Sequence, residues 1–260
     1  MFLSEQVTSW IQHLNVTHAP HLALAKRTNE VAHRALFAAK VVRTDLQHVL
    51  LVALVQRAMT AYQAAIILWE HGLPQEGQVA LRTLLEVEFK AVAIAKDPEI
   101  AIKYAREDET LRRRLINKYK LLSTEVQDPD ALAQLDSLQR SVNESIRSAD
   151  IKELKTEWFA QKAGLLDVHN SAYAVLSTEA HVSSRTLERS LNLDQAGQIV
   201  GMKYGFSDFG LVHNLLTCID AFLATLKAGY SKGDIPDESV QEIEAAYDEL
   251  KRLQRRESVA

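Results

Sequence analysis

A single cysteine, no glycine-rich motif and no excess of one charge set the first limits on this sequence. Cys218, standing alone, excludes an intrachain disulfide framework and any zinc site built on several thiolates, and it fits a reducing compartment. It lies in LLTCIDAFLATL, where it reads as a small buried hydrophobe rather than a nucleophile. The chain contains no H-E-x-x-H, Walker loop, G-x-G-x-x-G or G-x-S-x-G. Zincins, P-loop nucleotide hydrolases, Rossmann enzymes and lipase-like hydrolases are therefore without support. Thirty Lys and Arg against 34 Asp and Glu give a net charge of -4. That balance offers no protein-wide attraction to nucleic acid or anionic membrane, so any anion site must be local.

Membrane and export signals are also missing from the pattern. MFLSEQVTSWIQHL has no basic stretch followed by an apolar run, so it does not resemble a secretory leader. The most apolar segment, HVLLVALVQRAMTAYQAAIILW, is interrupted by Gln56, Arg57 and Gln63, which reads as a core helix rather than a span. The expectation is a soluble, cytoplasmic protein without a cofactor.

What is present is helical punctuation. Only nine glycines and five prolines occur, and most stand where helices stop or start. EHGLP ends one helix with Gly72 in a left-handed cap and opens the next at Pro74. KDPE and QDPD place Asp97 and Asp128 as N-caps before a proline. These signals predict helices at about 4–15, 19–41, 44–71, 74–96, 98–124, 129–148, 151–163, 166–190, 206–229 and 236–255. The expected fold is all-α, a single-domain multi-helix bundle over residues 1–260 with one buried central helix. NLDQAGQIVGMKYGFSD, with three glycines, is the longest irregular candidate and reads as a mobile loop.

The central helix is 74–96. At about 100° per residue its apolar side chains occupy nearly every direction, the mark of a helix buried all round. Yet Arg82 and Glu86 fall inside an apolar arc, spaced i,i+4 so that they can meet, and Glu88 falls among Leu81, Ala95 and Leu84. Charges in such places need partners on neighbouring helices or water. A partner face is visible in HNSAYAVLSTEAHVSSRTLERS, where Asn170, Tyr173, Ser177, His181 and Ser184 recur at spacings of three and four. Tyr, Ser and His are short-reaching groups that donate, accept and, for His, exchange a proton near neutral pH. The bland alternative is a satisfied core histidine with hydroxyls bonded back to the helix.

WEHGLPQEGQVALRTLLEVEFKAVAIAKDPE, followed about eighty residues later by AYAVLSTEAHVSS, resembles the bacterial domain-of-unknown-function family numbered fifty-six seventy-seven. The matching positions are Gly72, Glu76, Arg82, Glu86, Tyr173, Ser177 and His181, and the resemblance covers roughly residues 50–190. It implies a helical fold and a shared polar centre, and it supplies no reaction.

Three functions follow as expectations. In the first, the cluster binds an anionic or phosphate-bearing ligand, a small molecule or RNA. Arg82, Tyr173, Ser177 and Glu76 would hold it, with Glu86 and His181 as hypothetical catalytic groups. The second is a divergent, metal-independent ribonuclease of the HEPN type, suggested by RTNEVAH (Arg27, His33) and RTDLQH (Arg43, His48), although chance supplies about one or two such matches in a chain of this composition. The third is a non-enzymatic regulatory or interaction module whose polar core is structural. A carboxylate-bridged metal would need two E-x-x-H motifs. The chain has one, Glu30 with His33, and a looser Asp45 with His48, so no metal is expected. EDETLRRRLINKYK pairs Asp108 with Arg112 and Glu109 with Arg113 at i,i+4, a solvated helix face rather than a nucleic-acid surface. Val240, Ile243, Tyr247, Leu250 and Leu253 form a C-terminal stripe that packs on its own bundle before another subunit; a homodimer through it is the alternative.

Overall fold

The computed structural model describes residues 4–121, 128–180, 187–188, 190–231 and 235–258. In chain order the elements are α1 (Gln6–Thr17), α2 (Ala19–Ala38), α3 (Leu46–Glu70), α4 (Pro74–Lys96), α5 (Pro98–Lys120), α6 (Pro129–Ser148), α7 (Thr156–Ala163), α8 (Leu166–Val168), a π-helical segment (His169–Tyr173) and α9 (Ala174–Glu179). After these come β1 (Leu191–Leu193), β2 (Ile199–Met202), α10 (Leu211–Gly229) and α11 (Asp237–Glu257). The fold is an all-α multi-helix bundle.

Local chemistry sets many of the boundaries. Asp97 accepts from the Glu99 amide at 2.9 Å and Asp128 from the Asp130 amide at 3.0 Å, each before a proline at the first helical position. Asp45 caps α3 by accepting from the His48 amide at 3.1 Å. Gly72, at φ +71°, turns the chain from α3 into α4. Gly77 lets the two helices close: a Cβ there would lie 2.2 Å from the Trp69 indole nitrogen.

α4 is the central helix, packed against α3, α5, α7, α9 and α10. Leu81, Leu84, Leu85, Phe89, Ala91, Ala93 and Ile94 on it are buried. Around it, Tyr62 of α3 stacks on Phe222 of α10 with centroids 4.3 Å apart and donates to the Ala25 carbonyl of α2 at 2.9 Å. A phenol sealed this deeply keeps its hydrogen bond because an unmade one would cost about 1–3 kcal/mol. Gln47 likewise donates to the Ile94 carbonyl at 2.6 Å, joining the start of α3 to the end of α4. α3 and α10 are each long and apolar enough to cross a membrane, and 50% and 67% of their apolar windows are buried in the bundle.

Ile243, Leu250 and Leu253 of α11 are buried against α2 and α10, with Tyr247 packed beside them, so this part of the stripe is used within the chain, whereas Val240 at its start is exposed. Ion pairs Arg27–Glu249 and Arg34–Glu242 flank it. Cys218 is fully buried and its thiol is pushed far up by burial. On α5, Asp108 pairs with Arg112 at 3.3 Å as expected; Glu109 also pairs with Arg112, at 3.2 Å, and Arg114 reaches Glu153 at 2.6 Å.

Two expectations need correction. Residues 166–190 are not one α-helix: a π-helical turn interrupts the run after Val168, and α9 ends at Glu179. The irregular segment after it holds an antiparallel ribbon, with Leu191 opposite Met202, Asn192 opposite Gly201 and Leu193 opposite Ile199. Its strands are too short, and its glycines too many, for alternation to announce them.

Candidate functional site

Arg82 and Glu86 lie one turn apart on α4, on the side that faces the π-helical segment and α9. Their side chains meet at 2.9 Å between Nη2 and Oε1. Tyr173, the last residue of the π segment, closes a triangle: its hydroxyl accepts from Arg82 Nη2 at 3.0 Å and donates to Glu86 Oε1 at 2.8 Å. The Arg82 guanidinium carbon is 5.3 Å from the Tyr173 ring centroid, near enough for a cation–π contribution. Tyr173 is buried, whereas the Arg82 and Glu86 side chains keep 28% and 25% of their surface.

Apolar rings fix the phenol in place. Phe89, three residues after Glu86, packs edge-on against Tyr173 at 5.8 Å, His169 stacks on Tyr173 at 5.0 Å and 21°, and the Phe89 and His169 rings are themselves 6.1 Å apart. His169 is the member missed by the sequence reading, although its position four before Tyr173 was a visible signal. It meets the cluster through its ring, and its Nδ1 is hydrogen-bonded with Asn170 Oδ1 at 3.0 Å.

The electrostatics follow from this packing. Burial, then the Glu86 carboxylate, raises the Tyr173 pKa, which keeps the hydroxyl protonated and donating. Glu86 compensates the Arg82 charge directly, and the Arg82 Nε is buried without a hydrogen-bond partner. As it stands, the triangle contains a fixed cation, its counter-ion and a neutral donor. It does not contain an aligned nucleophile with a base.

The other expected members are placed differently. Ser177 is half-buried on α9, four residues after Tyr173, and Asn170 is exposed within the π segment. Glu76 is exposed in the first turn of α4. His181 and Ser184 lie outside the described residues. Glu88 projects to a different side of α4, where it is 6% exposed and its carboxyl is raised to about 8, first by burial and then by the charge of Asp220.

Of the paired Arg and His motifs, Arg27 and His33 are engaged in separate contacts, and Arg43 is exposed while His48 is buried. Arg27 is held by Glu249, while His33 is hydrogen-bonded with Gln63 at 2.9 Å. His48 is buried, with its Nδ1 accepting from the Val42 amide at 3.1 Å. Among the described residues no three His, Cys, Asp or Glu side chains are grouped to hold a metal. A surface cavity of about 360 Å³ lies beside α7, lined by Lys152, Leu154, Lys155 and Trp158 among others, and shares no residue with the triangle.

A family model described as a family of unknown function (DUF5677) matches residues 48–199, a span that includes all but the first two residues of α3, the whole of α4 and every member of the triangle. No curated protein and no solved structure matches the chain.

Proposed function

The chain belongs to the DUF5677 family, and from that premise we propose that it is a non-enzymatic helical interaction module whose Arg82–Glu86–Tyr173 triangle sets the register of its central helix. One observation carries this reading: each member of the triangle has its partner inside the triangle, with the cation neutralised at 2.9 Å. A half-buried network of this kind contributes specificity of packing more readily than catalysis, because its groups are committed to one another.

A second reading has its own support. The Arg82 Nε is buried and unpartnered, and a quarter of the pair's surface stays open. This favours capture of a small anion, a phosphate or a phosphate-bearing molecule, if Glu86 swings aside. One experiment separates the two. Thermal unfolding of the whole protein is followed with increasing inorganic phosphate, for the natural chain and for Arg82→Met. A module with a structural triangle shows the same rise of its midpoint with phosphate in both proteins, the general salt effect alone. A midpoint that climbs with phosphate only when Arg82 is present would overturn the structural reading in favour of the anion site.

A further inference from the structure

We propose that His21 is an acid-sensitive clasp: protonation of its buried ring releases the last turns of α11 from α2. Three pairs of a basic group and a carboxylate seam these helices, His21 with Glu257, Arg27 with Glu249 and Arg34 with Glu242, in an order that shows the helices to be antiparallel. In each pair the basic group belongs to α2 and the carboxylate to α11. The Arg27 and Arg34 side chains keep 48% and 52% of their surface in water, and a guanidinium does not lose its charge. His21 differs on both counts, for it is 7% exposed and imidazole is the side chain whose charge changes near neutral pH.

The surroundings of His21 suit the neutral ring. Nε2 lies 3.3 Å from Glu257 Oε1 without the alignment of a hydrogen bond, Nδ1 has no hydrogen-bond partner, and both nitrogens are sealed from solvent. A neutral imidazole has one N–H, and turning it toward Glu257 leaves only a lone pair at Nδ1. A second proton would put an N–H on Nδ1 with nothing to accept it, which is costly in a buried place. His21 is also the third residue of α2, at the positive end of the helix dipole, where a cation is disfavoured. The charged and titratable groups around it are Glu257 from α11, His18 at the head of its own helix, and Asp208 from the segment before α10, which is hydrogen-bonded with His18 at 3.1 Å. Glu257 favours the imidazolium, but its side chain is 44% exposed and water weakens the attraction. Burial prevails over Glu257, and the His21 pKa is lowered.

A ring freed from this place recovers the ordinary pKa of 6.5 and takes up the proton more readily than the docked ring. Docking therefore has its full strength above about pH 6.5 and weakens as pH falls through the lower, docked value. Glu257 is the last residue of α11, so lifting the terminal turns frees the ring at less cost than unfolding the bundle. The movement uncovers Leu253, which is buried in the closed form. Farther along the seam, Arg27–Glu249 and Arg34–Glu242 stay charged down to about pH 5 and keep the rest of α11 in place. The clasp owes nothing to the Arg82–Glu86–Tyr173 triangle and goes beyond its structural reading.

The test is hydrogen exchange of the whole chain at about pH 7.5 and about pH 5, corrected for the intrinsic rate at each pH, for the natural protein and for His21→Leu. If only the released ring bound the proton, with its ordinary pKa of 6.5, acidification to pH 5 would multiply the released population by about 30, which is the ceiling of the effect. In the natural protein the amides of residues 250–255 should lose between about threefold and about thirtyfold in protection, while those of α3 and α4 keep theirs. In His21→Leu that loss should disappear. Protection of residues 250–255 that holds or rises on acidification of the natural protein would overturn the proposal, the second by making His21–Glu257 a bridge that closes on protonation. An equal loss in His21→Leu would also overturn it, by assigning the titration to another group. The ring supplies a check that needs no variant: its proton resonances in the natural chain should titrate with a midpoint below pH 6.5, and a midpoint above 6.5 would overturn the proposal.

Discussion

Glu86 and Glu88 stand two residues apart on α4, about 200° around the helix from each other, and they have met opposite fates. Glu86 has an arginine at 2.9 Å and a phenol at 2.8 Å. Glu88 is buried among apolar side chains, no ion pair reaches it among the described residues, and the nearby charge of Asp220 has its own sign. The difference teaches that a carboxylate in an apolar arc is not one kind of event. Glu86 is part of a structure, whereas Glu88 is held largely protonated near neutral pH, because ionising it there is costly.

The largest expected effect comes from the lone carboxyl. The pKa of Glu88 is raised in the folded state to about 8 against an ordinary 4.5. Its contribution to stability is therefore complete below about pH 4.5, falls as pH rises toward 8, and is lost above that. Glu88→Gln keeps the shape and removes the titration, so it should stabilise the protein at pH 9 by roughly 3–5 kcal/mol, and by almost nothing at pH 4. Chemical denaturation at both pH values measures this. A gain that is the same at pH 4 and pH 9 would show that Glu88 does not titrate abnormally.

Opening the triangle should cost less and act in the other direction. Arg82→Met leaves Glu86 and Tyr173 facing each other without the cation, and about 1–3 kcal/mol should be lost at pH 7. Adding Glu86→Leu should return most of that loss, because the uncompensated carboxylate is removed with its partner. If the double variant costs as much as both single changes together, the pair is uncoupled. Tyr173→Phe removes one donor and one acceptor but keeps the ring against Phe89 and His169, for an expected loss of about 1 kcal/mol in a urea titration. His169→Ala, which removes only a stacked ring at the edge of the cluster, should cost about 0.5–1.5 kcal/mol.

Parts of this were legible in the sequence for physical reasons. Asp97, Asp128 and Gly72 announce helix ends because capping and positive φ are decided by a few adjacent residues. Arg82, Glu86 and Tyr173 could be brought together on paper because i,i+4 spacing and an apolar arc fix where the first two point, and the latter must then find a neighbour. Asn170 was expected on the same face and is instead exposed, because it lies inside the π turn at His169–Tyr173. Such a turn answers to packing against α4, and nothing in HNSAY announces it. The ribbon was hidden for a related reason: its pairing depends on residues on either side of a turn and on a bulge at Val200. Glu88 looked like Glu86 on the helical wheel, and only the identity of what lies opposite separates them.

The most direct measurement sets Glu86→Gln beside Glu88→Gln in urea denaturation at pH 8, in the whole protein. The same chemical change is made twice, two residues apart. Glu86→Gln should destabilise by about 1–2 kcal/mol through loss of the ion pair, while Glu88→Gln should stabilise by several kcal/mol. Shifts of the same sign would contradict the division of α4 into a side that uses its carboxylate and a side that suppresses one.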